Sequence, residues 1–249
     1  MARGYPDYKV QPTQQTTFNE DNNELAARLG GLSRIHRAGQ LIYQTDFSEG
    51  ITDWLDGCGG GALAEVYNLK SYNGDSVLRL TAANAGLNYA QAYKIFPFAK
   101  SYTYGYELTF AVIQGGGGVT PLFTLEILLY NQGTNYRYRV VIDETNHRIR
   151  VISDLPLPGG TYDIYTGLYG LASTLGAPVY HWMKLIIDFE TYQYTRLLFD
   201  DLVIPLTQYT PWLTLAASNY EMYVYLSLAS GLLTPMILVD DFILTFNEP

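Results

Sequence analysis

The chain is 249 residues long, 48% hydrophobic, 14% aromatic and only 16% charged, with a formal net charge of −9. That balance excludes a disordered polymer, which couples low hydrophobicity to high charge, and an acidic body argues against binding a nucleic-acid backbone. Cys58 is the only cysteine and the 23 glycines show no three-residue period, which excludes a disulfide scaffold and a collagen-like chain.

The first 40 residues read differently from the rest. Residues 1–19 hold Pro6 and Pro12 among Gln and Thr neighbours without periodicity, so they read as extended. Asp21 or Asn22 can cap a short helix over about residues 22–29, with Leu25 and Leu29 on one face and Gly30-Gly31 at its end. These 40 residues carry five Lys/Arg and four acids, whereas the remainder carries ten and twenty. An extended lead of 19 residues reaches about 60 Å, enough to cross a subunit boundary. Residues 1–40 are therefore expected to form an N-terminal arm that docks on a neighbour through Tyr5, Tyr8, Phe18, Leu25 and Leu29. No apolar run in residues 1–15 is long enough for a signal peptide.

From residue 41 the pattern becomes strands separated by turns. The first is expected at 41–47, followed by a loop around Gly57 to Gly61. Strands at 62–69 and 77–82 flank the Asn73-Gly74 turn, and 89–96 precedes Pro97. Residues 102–113 alternate, with Tyr102, Tyr104, Tyr106, Leu108 and Phe110 on one parity, and 122–131 are nearly all apolar, as in a buried strand. Hairpins are expected at 136–143 with 148–153 and at 182–189 with 196–205, and strands at 222–229 and 236–246 close the chain. Two long uncharged stretches, 164–183 and 223–239, are broken by glycine and proline, so they read as loops or paired strands rather than membrane insertion. The fold expected is an all-β jelly-roll β-sandwich of about eleven strands over residues 41–249, preceded by the arm and its one short helix.

Several segments in order resemble the superfamily of carbohydrate-binding modules and laminin-G or concanavalin-like domains. They are Asp46-Phe-Ser-Glu-Gly50 with Trp54, Tyr72-Asn-Gly-Asp-Ser76-Val-Leu-Arg-Leu80, Trp182-Met-Lys-Leu-Ile-Ile-Asp188 with Thr195-Arg-Leu-Leu-Phe-Asp200, and Val239-Asp-Asp-Phe-Ile-Leu244. The resemblance implies that the first and last strands lie together and that a structural Ca2+ sits where they meet. Its ligands would be Asp46 or Glu49, a carbonyl near Gly74, and Asp240 or Asp241, a set of hard oxygens that suits the ion. The arm segment Glu24-Leu-Ala-Ala-Arg-Leu-Gly30 with Arg34 and Arg37-Ala-Gly39 resembles structural proteins of tailed phages. That resemblance implies a virion or other extracellular assembly as the setting.

No catalytic set is apparent. Concanavalin-like glycosidases place their carboxylates close together as E-x-D-x-x-E, and no such triplet occurs. Glu65, Glu107 and Glu126 stand singly, and Glu126 is read as a side chain on the wet face of its strand. There is no Gly-x-Ser-x-Gly elbow and no Cys/His spacing for zinc, and Cys58 is read as an inert thiol.

The 23 tyrosines cluster on the expected strands. Three physical roles compete for them: strand propensity, stacking on sugar rings, and subunit contact. Tyr102, Tyr104, Tyr106, Tyr136, Tyr138 and Trp212 are the candidate glycan or partner contacts. The function expected first is a non-enzymatic assembly subunit, such as a coat or tail component, that contacts copies of itself or other virion proteins. A carbohydrate-binding module is the alternative, and a glycan hydrolase or lyase a further one.

Overall fold

The computed structural model describes residues 39–248 apart from 49, 52, 69–75, 84–88, 98–101, 114–121, 132, 155–158, 169, 176, 216–220 and 230–234. The expected arm, its helix and Tyr5, Tyr8, Phe18, Leu25 and Leu29 lie outside the described residues, as do Glu49 and Gly74.

Among the described residues two sheets face each other. Sheet A runs β14 (Leu202–Pro205), β13 (Gln193–Phe199), β12 (Tyr180–Asp188), β6 (Thr103–Ile113), β17 (Met236–Phe246), β4 (Val77–Thr81) and β3 (Leu63–Tyr67). β1 (Gln40–Thr45) pairs with the second half of β17, and the two-residue β11 (Ala172–Ser173) pairs with the end of β6. Sheet B runs β10 (Gly160–Thr166), β9 (Arg148–Ser153), β8 (Thr134–Asp143), β7 (Leu122–Asn131), β16 (Glu221–Ala229), β5 (Tyr89–Phe96) and β2 (Leu55–Asp56), with β15 (Trp212–Leu215) beside the start of β8. Apart from β11 the pairings are antiparallel. This is the all-β jelly-roll sandwich expected, and its first and last strands do lie together, with Thr45 opposite Phe242.

The period-2 alternation drives the layering. On β16, Met222, Val224, Leu226 and Leu228 point into the core, while Glu221, Tyr223, Tyr225 and Ser227 take the other parity. On β6 the expected parity holds: Tyr104, Tyr106, Leu108, Phe110 and Val112 all join the core between the sheets. β6 is nevertheless buried on both faces, because Gly105, Glu107, Thr109 and Ala111 are buried too. On that second face the Lys184 ammonium lies 2.7 Å from Glu248 Oε1 and 3.8 Å from Glu107 Oε2. Thr245 Oγ1 also donates to Glu248. Gly105 makes room for this cluster: a Cβ there would stand 2.6 Å from Thr245 Oγ1 and 2.7 Å from Lys184 Cε.

Several expectations need correction. The strand expected over 196–205 is cut by Asp200-Asp201 into β13 and β14, with Asp200 in the left-handed region at φ 48°. Aspartate tolerates that conformation better than most residues. The stretch 164–183, expected as loops or paired strands, holds the end of β10, β11 and the start of β12, and β15 lies in a stretch where no strand was expected. Tyr162 and Tyr165 thus sit on a strand. These strands are short or bulged, as at the register shift between Asp163 and Tyr165, so their alternation is too brief to register as a period. No helix among the described residues is long and apolar enough to cross a membrane.

Candidate functional site

The outer face of sheet B, away from the core, carries the most concentrated array of aromatic and polar side chains. Strand register places them in rows. One row runs Tyr93, Tyr225, Glu126, Arg139 across β5, β16, β7 and β8. A second runs Gln91, Ser227, Thr124, Val141, and a third Ile95, Tyr223, Leu128, Arg137. Between them lies a cleft of about 420 Å³, lined by Gln91, Thr124, Glu126, Arg139, Tyr225 and Ser227 among others. That volume falls within the roughly 300–1,000 Å³ of small-ligand sites.

On one side of the cleft the tyrosines pack as a plate. Tyr223 and Tyr225 stack at 6.0 Å with 9° between their planes, Tyr93 stacks on Tyr225 at 5.3 Å, and Tyr130 meets Tyr223 edge-on at 5.4 Å. Burial pushes the Tyr225 phenol well up, with nearby Tyr130, Tyr223 and Glu126 adding to it. The hydrogen bond to Glu221 first, and burial second, push Tyr223 up to about 12. Both rings are therefore neutral hydroxyl donors at ordinary pH rather than bases.

On the other side lie ion clusters. Glu126 Oε1 is 3.0 Å from Arg137 Nε, and Glu126 Oε2 accepts from Arg139 Nε at 2.7 Å. The Glu126 side chain is only 10% exposed, against 27% for each arginine. The indole of Trp212 packs against the Arg137 guanidinium, 4.9 Å away. The arrangement recurs on the next strand pair, where Asp143, 1% exposed, accepts from Arg148 Nε at 3.0 Å and lies 3.1 Å from an Arg150 nitrogen. Burial pushes the Asp143 carboxyl up, but hydrogen bonds from Asn146 and Arg148 and the charge of Arg150 outweigh it and hold it below the usual carboxylate value. Sequence spacing shows each acid alone; strand pairing supplies its two arginines.

The candidate residues from sequence fall in several places. Tyr104, Tyr106 and Tyr138 are corrected: their rings lie in the core, buried among residues of both sheets, so they present no face to a ligand. Tyr102 is exposed at the start of β6 and packs edge-on against Phe246 at 5.2 Å. Tyr136, near the start of β8, stacks on Tyr192 at 4.2 Å and packs against the core. Trp212 does not line the cleft but packs on Arg137, which does. The residues missed include Gln91, Tyr93, Thr124, Tyr225 and Ser227, together with Arg137 and Arg139. A signal was available in the alternation of β5 and β8, where Gln91, Tyr93, Arg137 and Arg139 take the parity opposite to Ala90, Ala92, Tyr138 and Val140.

Asp46 closes β1 in a turn, accepting from Ser48 N at 3.0 Å and Ser48 Oγ at 2.7 Å. Asp240 and Asp241 are buried at a bulge in β17. No group of three or more His, Cys, Asp or Glu side chains is gathered for a metal among the described residues. The calcium set implied by resemblance therefore depends on Glu49 and Gly74. Burial, and next Asp56, push the Cys58 thiol up to about 11, while Gln91 N–H points to its sulfur at 3.3 Å. A thiol held in that state is a poor nucleophile.

No family model matches the sequence, and no curated protein does. Solved structures do resemble it. An endo-β-1,4-glucuronan lyase from the fungus Trichoderma reesei superposes with a TM-score of 0.58 at 9% identity, over 83% of this chain and 95% of that one. The carbohydrate recognition domain of Emp46p gives 0.51 at 10% identity, over 81% and 92%. A carbohydrate esterase from the Shiga toxin-encoding bacteriophage phi24B gives 0.53 at 15% identity, over 85% and 100%. These likenesses show the jelly-roll sandwich fold.

Proposed function

We propose that the protein is a non-enzymatic carbohydrate-binding domain that holds a glycan on the outer face of sheet B. The observation that carries this reading is the cleft itself, where tyrosine rings stand beside an amide, two hydroxyls and an arginine pair in consecutive register rows. Ring faces suit the C–H faces of a pyranose, and Gln91, Thr124, Ser227 and Tyr225 supply donors and acceptors for its hydroxyls. The fold neighbours named for a carbohydrate recognition domain, a glycan lyase and a carbohydrate esterase support it. Glycan hydrolysis is less well served. Glu126 is the only carboxylate among the lining residues, with Oε2 accepting from Arg139 and Oε1 ion-paired with Arg137, whereas glycosidases use two carboxylates.

The test is a glycan array followed by calorimetry on the hits with wild type and Tyr225→Ala. Binding of a glycan, weakened about tenfold or more by the substitution, is the expected result. An array without hits, or a variant that binds as wild type does, would overturn the proposal.

An assembly role, in a virion or another particle, is the second reading. One observation favours it: Leu63 and Val203 stand 52% and 68% exposed on β3 and β14, which end the order of sheet A among the described residues. Unprotected edges with apolar side chains invite pairing with another chain. Light scattering of the full chain against one lacking residues 1–40 tests it; a monomer in both cases removes it.

A further inference from the structure

Resting on the glycan-binding reading, we infer that the ligand is an acidic glycan, whose carboxylate or sulfate groups are held along the arginine strip of β8 and β9. Ten arginines and five lysines serve a chain of net charge −9. Four of those arginines, Arg137, Arg139, Arg148 and Arg150, stand on two adjacent strands with one facing direction.

Two carboxylates accompany them, and their depth decides what solvent meets. Glu126 and Asp143 are 10% and 1% exposed, while the four arginines are 20–29% exposed. Each acid lies beneath its pair and fixes it; the guanidinium edges form the surface. The Glu126 cluster sets two arginines against one acid and leaves a net of +1, presented by the outer two, whereas the second cluster, with Asp143 and Asp163, balances to zero. Asp163 lies 3.1 Å from Arg148, so the first cluster, beside the cleft, is the more open.

The geometry suits a polymer. A planar guanidinium offers paired N–H donors that match a carboxylate or sulfate. Their prior engagement with Glu126 and, for Arg137, the Trp212 ring removes much of the side-chain disorder that binding would otherwise have to quench. A sugar ring on Tyr225 places its substituents toward Arg139, because both belong to the row Tyr93, Tyr225, Glu126, Arg139. Arg148 and Arg150 continue the row of guanidinium donors onto β9, although Asp143 and Asp163 balance their charge.

The experiment uses the full chain in calorimetry with three probes: an oligogalacturonate, its carboxyl-reduced neutral counterpart, and a sulfated galacto-oligosaccharide. The array above supplies acidic and neutral glycans for breadth. Tighter binding of either anionic probe than of the neutral one, weakened by added NaCl, is expected, and the better of the two identifies the anion. Arg139→Gln should weaken the anionic probe about tenfold or more and weaken a neutral glycan distinctly less. Arg139→Gln/Glu126→Gln, which removes the pair together, guards against misfolding and should show the same loss at an unchanged Tm.

Neutral glycans bound as tightly as anionic ones, with Tyr225→Ala still harmful, would overturn this inference and leave the glycan-binding reading standing. Absence of any glycan from the array would overturn both. An anionic glycan indifferent to both Arg139 variants would also overturn the inference.

Discussion

Lys184 offers a sharp test of how the sandwich is held. Its side chain is 0% exposed, with Glu248 Oε1 at 2.7 Å and Glu107 Oε2 at 3.8 Å. Lys184→Met keeps most of the volume and removes the only cation that these contacts supply, leaving two buried carboxylates facing each other. Breaking a buried pair from one side costs about 3–5 kcal/mol. At about 2–4 °C per kcal/mol for a domain of this size, Tm should fall by roughly 6–20 °C. Removing the charges together, as Glu107→Gln/Lys184→Met/Glu248→Gln, should recover much of that loss, because uncompensated charge is what makes the single change costly. Gly105→Ala should act on the same spot by a different route. A Cβ 2.7 Å from Lys184 Cε and 2.6 Å from Thr245 Oγ1 must displace them, for a cost of about 1–3 kcal/mol. The assay is thermal unfolding followed by tyrosine fluorescence and circular dichroism at pH 7. A Lys184→Met protein melting within 2 °C of wild type would refute the reasoning.

Three further outcomes follow from the charged and thiol groups. Asp143 has a folded pKa below its unfolded value of about 3.9, so its contribution to stability is present above that pH and is lost as pH falls through the folded value. Wild type should therefore lose Tm on acidification below about pH 4 more steeply than Asp143→Asn, and parallel curves would refute this. Cys58, with its thiol pushed up to about 11, should react with a disulfide reagent at pH 8 roughly two hundredfold more slowly than a free cysteine. Rapid labelling of the folded chain would contradict it. We also propose, from the resemblance, a structural calcium held by Asp46 or Glu49, a carbonyl near Gly74, and Asp240 or Asp241; Asp240→Asn/Asp241→Asn should then lower Tm in calcium but not in chelator. Equal effects in the two media would dismiss the ion.

Legibility in the sequence tracked the length of the alternation. β6 and β16, at 11 and 9 residues, show their parity directly, while β7 and β17, at 10 and 11 residues, stand out as apolar runs. β11, β14 and β15 run 2–4 residues and do not. The cleft was half legible. The tyrosine clusters stand out in the sequence, yet Tyr104 and Tyr225 look alike there, and only the layer each faces separates a core ring from a ligand-facing one.

The sequence by itself determined the class: an all-β sandwich follows from alternating apolar residues between turn residues, since each face must find its own solvent. It also determined that no local catalytic motif exists. Tertiary structure alone decided the site. Glu126, Arg139 and Tyr225 are separated by up to 99 positions, and antiparallel register brings them into one row. Burial depth, which no spacing encodes, then places the acid below and the arginines above, and so sets the sign of the surface a ligand would meet.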